Sequence, residues 1–500
     1  MLKLYHNKKG DIVIKKSIWL EGIKRNIEKP LKEDIEVDVL IIGGGITGVS
    51  CAYQLKDSHL KVCLVERNKI GLGVTSKTTA KLNYLQETIY STIEENYSYE
   101  EAALYLKAQR YAIKMIKDIV QKEKIDCNFE KVSSYVFTDK KQEIKNIMKE
   151  KSILSSLGQK VEVNKEIPFP LKSVYSIHVN DTATFHPLKY VYALVNLLKG
   201  KISIYENTEI YNIKRKKSFY ICYTKDHQIK AKYVILACHY PFFLFPYFMP
   251  IKTYPEKSYI IASKIEEYKK NTLITSTTPT KSLRYYKEKE NYLIYLSNSH
   301  PSCDHVDTIH SFSSIMNEAK EMNRSISYLW SNEDLITFDH LPLIGTIKEN
   351  LFLATGYNTW GMTNATIASY ILKNAILGQN TEYDFLFNPL RKNGKSKRKS
   401  YTKNMIKNAK GYIENKVKVA KPWYPSTLTF KKIHGKKVAI YEDEKKHMVY
   451  TKCPHMGCEL IFNEIEKTWD CPCHASRFDL DGNCIKGPSL YNISYKKKDK

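Results

Sequence analysis

Residues Val37 to Ile42 read Val-Asp-Val-Leu-Ile-Ile, and the chain turns at once into Gly43-Gly44-Gly45-Ile46-Thr47-Gly48. The apolar run reads as a buried strand, and the glycines restrict what can follow it. The first permits a tight turn, the second lets backbone approach a pyrophosphate, and the third lets the next helix pack closely on its strand. A glycine pattern alone is weak evidence. This one precedes the helical pattern Val49 to Leu55 and then a second strand, Lys61-Val-Cys-Leu-Val65. That strand ends in Glu66, at the place where a carboxylate accepts from ribose hydroxyls. The unit predicts an α/β fold holding a dinucleotide, with the pyrophosphate on a helix N-terminus.

Later segments favour FAD over NAD. Gly71-Leu-Gly-Val-Thr75-Ser76-Lys-Thr78-Thr79-Ala80-Lys81 is rich in small and hydroxyl residues suited to lay backbone donors along a flavin and pyrophosphate, and Arg67 follows Glu66. Far downstream, Asp339-His-Leu-Pro-Leu-Ile-Gly345 precedes the strand Leu351-Phe-Leu-Ala-Thr355, and Gly356-Tyr-Asn-Thr-Trp-Gly361-Met362-Thr363 then opens another helix. A helix N-terminus there offers positive partial charge to an isoalloxazine carbonyl. With Lys232-Tyr-Val-Ile-Leu-Ala237 as a returning strand, residues 35 to 385 resemble the FAD-dependent oxidoreductases of the D-amino-acid oxidase and glycine oxidase type. The resemblance implies a Rossmann-like FAD-binding domain interleaved with a mixed α+β substrate domain. One departure is that the Arg-Asn-Gly-Gly common in that family is replaced by Lys77-Thr-Thr-Ala-Lys81.

A second strong signal lies near the other end. Cys453-Pro-His455 and, after fifteen intervening residues, Cys471-Pro-Cys473-His474 form two Cys/His pairs. Their spacing suits a [2Fe–2S] cluster in which two thiolates, Cys453 and Cys471, hold one iron and two imidazoles, His455 and His474, hold the other; such ligation raises the potential to roughly −150 to +300 mV from about −400 mV. The alternative is a tetrahedral zinc site, which Cys and His at short spacings also suit. The stretch Cys453-Pro-His-Met-Gly-Cys458, then Cys471 to Gly482 and Gly487-Pro-Ser489, resembles the Rieske proteins of cytochrome bc complexes. That resemblance implies a small all-β domain, a disulfide between Cys458 and Cys473 that clamps the two cluster loops, and a hydroxyl donor to a cluster sulfur at Ser476. Ala475 and Phe478 stand where the family often has Gly and Tyr. The joined pattern resembles a bacterial family of FAD-dependent oxidoreductases with a C-terminal Rieske module, and Ser17-Ile-Trp19, Phe185-His-Pro187 and Trp469 to Cys473 fit it as well.

Five hundred residues are too many for one core and suit two or three. The expected division is an N-terminal arm over 1–34, the oxidoreductase over 35–385, a basic linker over 386–424 and the Rieske module over 425–500. Tyr401, Met405, Ala409, Tyr412 and Ile413 recur at helical spacing inside the linker. The net charge of +26 invites a nucleic-acid or membrane reading. Lys is nevertheless spread along the whole chain beside Asn, Ile and Tyr, with no base-stacking or helix-turn-helix signature, so solvated faces are its expected home. No apolar run approaches the ~20 residues that span a bilayer, and the first residues lack the apolar core of a signal peptide. A cytoplasmic protein without a nucleic-acid partner is the expectation.

Catalytic side chains are the least legible feature, because hydride transfer from an amine to a flavin needs chiefly orientation. An amino-acid substrate would want a bidentate arginine. Arg284, in Ser282-Leu-Arg-Tyr-Tyr286, is the candidate; its bland reading is an ordinary ion pair. Tyr259 and His300 are weaker candidates. The expected function is oxidation of a small amine or amino acid by FAD, with electrons passing through the cluster to an acceptor such as ferredoxin, a quinone or another protein. The alternative is a redox sensor or assembly protein that keeps both groups without turnover.

Overall fold

The computed structural model describes residues 4–6, 12–14, 16–241, 252–304, 307–392 and 428–495. The strand Ile35–Ile42 lies inside an eight-stranded sheet. Val62–Val65 runs parallel on one side, with Val39 opposite Val62, and Gln228–Leu236 runs parallel on the other, with Val234 opposite Leu40. Ser203–Tyr205 and Leu351–Thr355 extend the parallel set. Strands covered on both faces read as unbroken apolar runs, which is why the sequence exposes this sheet so clearly. The helix Ile46–Leu55 is buried at every residue but Gln54 and packs against Gly361–Ile376 and Pro187–Leu197. A helix buried on nearly every side, with only hydroxyls among its buried polar groups, belongs in a core.

The second layer is an eleven-stranded sheet assembled from distant pieces. Tyr328–Thr337, Thr253–Ile265, Asn291–Pro301, Ser282–Lys287 and Asn271–Thr275 run antiparallel in that order. Glu130–Thr138 then joins in parallel, followed by Tyr175–Thr184 and Lys81–Leu82. The helix Thr308–Glu321 covers one face with Phe312, Ile315 and Ala319, against Tyr259, Leu293 and Leu329. The chain crosses between the two sheets repeatedly, so the cofactor half and the substrate half interleave.

The residues ahead of Ile35 are anchored to this body. Trp19 is fully buried between the rings of His186 and Tyr286, and its indole donates to the Thr78 carbonyl at 2.6 Å. Arg25 pairs with Glu206 at 2.6 Å. The stretch read as an arm thus supplies core.

Leu428–Ile433, Lys436–Glu442 and Lys446–Tyr450 form a three-stranded antiparallel sheet, and Ile461–Asn463, Thr468–Asp470, Arg477–Phe478 and Cys484–Lys486 a four-stranded one. Their common core holds Leu460, Phe462, Trp469 and Phe478 with four cysteines, Cys453, Cys458, Cys471 and Cys473. This β-rich module docks on the eleven-stranded sheet through buried ions. Lys257 meets Asp470 at 2.5 Å, Arg477 reaches Asp470 at 2.9 Å and Glu466 at 2.8 Å, and Glu466 accepts from the Ser331 amide at 3.2 Å. Lys486 pairs with Glu333 at 3.0 Å. The helix expected around Tyr401 to Ile413 lies outside the described residues. No helix among the described residues is long and apolar enough to cross a membrane.

Candidate functional site

The C-terminal ends of the parallel strands open onto a cavity of ≈ 470 Å³. Ligands in open α/β sheets bind outside such strand ends. The turn after Ile42 explains the shape of the cavity floor. Gly43 has φ +113°, and a Cβ on Gly48 would sit 1.9 Å from the Gly43 carbonyl oxygen, so the helix is pressed onto its strand as only glycine allows. Gly43, Gly45, Ile46, Thr47, Glu66, Arg67, Thr75, Gly361 and Met362 all line the cavity. The Thr75 hydroxyl accepts from the Ile46 amide at 3.0 Å, and the Thr47 hydroxyl meets the Tyr357 hydroxyl at 3.1 Å. The Glu66 carboxylate accepts from the Gly44 and Asn68 amides, each at 2.8 Å. Burial pushes its pKa up, against the pull of those two amides.

Other expected residues stand behind this wall. Gly44 and Gly48 shape the turn. Ser76 is buried with its hydroxyl on the Gly73 carbonyl at 2.9 Å, and Ala80, at φ +55°, offers its carbonyl to Arg284. Gly345 faces Pro389, Gly356 lies beneath Thr337, and the Thr363 hydroxyl returns to the Trp360 carbonyl at 3.4 Å. The sequence reading missed Thr208, Glu209, Cys238, His239, Tyr240 and Thr355, which also line the cavity. The strand Gln228–Leu236 points at Cys238 to Tyr240, so extending that strand past its C-terminal end would have found them.

A smaller inner cavity of ≈ 60 Å³ adjoins the first and shares Asp334 and Met362 with it. Thr78, Thr79, Lys81, Glu87, Glu256, Asn332 and Trp360 are among its wall residues. Arg284 belongs to neither wall, which corrects its expected substrate-facing role. It is 1% exposed, its Nη1 donates to the carbonyls of Thr79, Ala80 and Phe185 at 2.9, 2.7 and 3.2 Å, and its guanidinium lies against the Trp19 and Tyr286 rings. Those bonds commit it to holding backbone. Tyr259 and His300 are hydrogen-bonded to each other at 3.2 Å and also lie off both walls.

In the C-terminal module two similar loops face each other. The Cys453 amide donates to Cys458 at 2.8 Å, and the Cys471 amide to Ser476 at 2.7 Å. Cys458 and Cys473 are joined by a disulfide that ties the loops together. The thiols of Cys453 and Cys471 are within hydrogen-bonding reach of each other, with the Ser476 hydroxyl beside Cys453. The His455 and His474 rings meet edge to face with centroids 4.9 Å apart. Ser476 also accepts from the Ser489 amide at 2.9 Å, which brings the third loop over the site. Ala475 adopts φ +62°, a left-handed conformation that explains the family's glycine there.

The donor set fits a two-iron cluster. Both ring nitrogens of His455 are buried without a hydrogen-bond partner among the described residues, as metal ligands are before they bind. Among those residues the one trio of ligand atoms compact enough for a single ion is Cys458, Cys471 and Cys473, and two of the three are consumed by the disulfide. That favours a cluster spread over two pairs above one tetrahedral ion. The dinucleotide cavity likewise fits FAD by its glycine floor, the Glu66 carboxylate on its wall and the helix N-terminus at Gly361.

The two sites touch. Ile485, Lys486, Gly487, Pro488 and Leu490 of the C-terminal module complete the wall of the dinucleotide cavity. Arg67 donates to the Ser489 carbonyl at 2.6 Å, and Asn68 to the Ile485 carbonyl at 3.2 Å. Tyr240, on that cavity, has its ring 5.6 Å from the His474 ring.

Comparison with known proteins agrees with this geometry. A family model described as FAD dependent oxidoreductase matches residues 38–374, and one described as Rieske [2Fe-2S] domain matches residues 416–495. A Bacillus subtilis (strain 168) protein named YhfW and described as a Rieske 2Fe-2S iron-sulfur protein is 33% identical over 478 residues, covering 92% of this chain and 93% of its own. Gamma-glutamylputrescine oxidoreductase of Escherichia coli (strain K12) is 21% identical over 383 residues, covering 72% of this chain and 88% of its own. Glycine oxidase from Geobacillus kaustophilus shares the fold with a TM-score of 0.60 at 17% identity, over 71% of this chain and 99% of its own. The chain belongs to the FAD-dependent oxidoreductase family and carries a C-terminal Rieske domain, so that FAD and a [2Fe–2S] cluster are its cofactors.

Proposed function

We propose that the protein oxidises a small amine or amino acid by hydride transfer to FAD and passes the electrons through the Rieske cluster to a separate acceptor. FAD supplies a carrier that exchanges one or two electrons, and the cluster one that exchanges them singly. The observation that carries this reading is the shared wall: the loop Ile485–Leu490 closes the dinucleotide cavity, and Tyr240 on that cavity packs against His474. Cys453, His455, Cys471 and His474 are the ligands in this reading, and Gly43 to Gly48, Glu66, Thr75 and Met362 hold the flavin. The relatives named gamma-glutamylputrescine oxidoreductase and glycine oxidase support a small nitrogenous substrate.

The test is anaerobic mixing of the holoprotein with a panel of amines and amino acids, followed by absorbance and EPR. Flavin bleaching followed by growth of the reduced-cluster signal is expected. A cluster that stays oxidised beside a reduced flavin, while dithionite reduces both, removes the electron route. A flavin that no donor reduces leaves the sensor function in its place.

A further inference from the structure

The wall of the inner cavity sets three carboxylates and a single lysine among hydroxyl and apolar side chains. Three carboxylates on its wall come from three separate parts of the chain: Glu87 from the turn before the helix Ile89–Asn96, Glu256 from the strand Thr253–Ile265, and Asp334 from the strand Tyr328–Thr337. Only the fold brings them together. Asp334 accepts one hydrogen bond, from Asn332 Nδ2 at 3.0 Å. Glu87 and Glu256 receive none from the described residues. The remaining atom of that amide supplies an independent observation. Asn332 is 3% exposed and on the wall, and its Oδ1 is buried without a donor. A buried acceptor left this way is costly unless a ligand donates to it.

The wall's basic group, Lys81, is already engaged. Its Nζ donates to the Leu273 carbonyl at 2.6 Å and to the Ser282 hydroxyl at 2.5 Å. Burial pushes its pKa well down, and Arg284 nearby adds to this. Arg284 itself is spent on backbone carbonyls. A substrate carboxylate entering this space would meet three acidic side chains and no guanidinium to hold it in a fork. An ammonium would meet Glu256, Asp334 and the Asn332 oxygen together. Burial, then mutual repulsion, pushes the Glu256 carboxyl up to about 8, and a cation would relieve both.

We propose that the inner cavity takes a small aliphatic amine that enters as an alkylammonium and carries no carboxylate, a monoamine or short diamine rather than an α-amino acid. The assignment rests on the oxidoreductase reading above and narrows its substrate class. It places the ammonium between Glu256 and Asp334, beside the flavin cavity that shares Asp334.

The experiment titrates the oxidised holoprotein with 1,4-diaminobutane, butylamine and ornithine, the last being the diamine skeleton with a carboxylate added. Thermal unfolding and the flavin absorbance band report binding without turnover. Either amine should raise Tm and perturb the band at concentrations at least about tenfold below ornithine, a gap of about 1.4 kcal/mol. In Glu256→Gln, whose residue lies off the dinucleotide cavity, that preference should shrink while FAD content stays at one per chain, and in Asp334→Asn the preference should shrink as well. Equal binding of ornithine, or no response to either amine, overturns the assignment. The two readings fail separately. If amines and amino acids alike reduce flavin and then cluster, the substrate assignment falls and the electron route stands. If only amines bind and the cluster never follows the flavin, the reverse holds.

Discussion

Arg284 shows how a single residue misleads when only its neighbours in sequence are known. A guanidinium on a strand reads equally as a substrate clamp or an ion-pair partner, and the sequence cannot say that three carbonyls from two distant turns converge on it. Truncation should therefore act on the fold. Arg284→Ala leaves those buried carbonyls without a donor, and at 1–3 kcal/mol for such a group the loss should be about 3 kcal/mol or more. Thermal unfolding measures it; an unchanged Tm with a raised KM for carboxylate substrates would restore the clamp. Glu256 offers a second residue-scale prediction. Its folded pKa of about 8 lies above an unfolded value near ~4.3, so the folded chain holds a proton there that the unfolded chain has released. Stability is unaffected below the unfolded value and is lost as pH rises through the folded one. In the amine-free protein, the Tm of Glu256→Gln should exceed that of wild type by a margin that grows from about pH 5 to about pH 8. A margin independent of pH would mean the carboxyl is not desolvated.

At the scale of elements, legibility followed burial. The second half of Ile35–Ile42, with Val62–Val65 and Leu351–Thr355, stood out because parallel strands covered on both faces are apolar where they are buried. The eleven-stranded sheet did not, because neighbours such as Glu130–Thr138 and Asn271–Thr275 are far apart in sequence and pair only through long-range register. The glycine turn is the element whose physics is most exposed to test. A methyl group at residue 48 meets the Gly43 carbonyl oxygen at 1.9 Å, and backbone cannot give way there without lifting the helix Ile46–Leu55 from its strand. Gly48→Ala should cost about 3 kcal/mol, the upper end for overpacking a core, and should purify with well under one FAD per chain. Full flavin content with an unchanged Tm would show that the helix tolerates a looser seat.

The scale of the whole molecule was hidden from the sequence, since nothing in Lys257 or Asp470 announces that they meet. Both are nearly buried, and their 2.5 Å contact joins the substrate sheet to the Rieske module in one network with Arg477 and Glu466. Breaking one partner of a buried ion pair typically costs about 3–5 kcal/mol, because the other charge is left uncompensated. Lys257→Met is the cleanest break, as it touches no cluster loop and leaves Asp470 one of its two cations. It should loosen docking while each unit keeps its own cofactor: the flavin and cluster spectra stay intact, and transfer between them slows. The same network sets an acid limit. Burial raises the Glu466 carboxyl, but Arg477, Lys77 and Lys257 outweigh it and hold it down at about 2, below an unfolded value of ~4.3. Its contribution is therefore present above the unfolded value and lost as pH falls towards the folded one. Wild-type protein should hold its flavin-to-cluster rate down to about pH 5 and lose it below, whereas Lys257→Met, already short of one cation, should fail at a higher pH. Equal rates in the two proteins across that range would mean the buried ions align the modules without governing how closely the two redox sites approach.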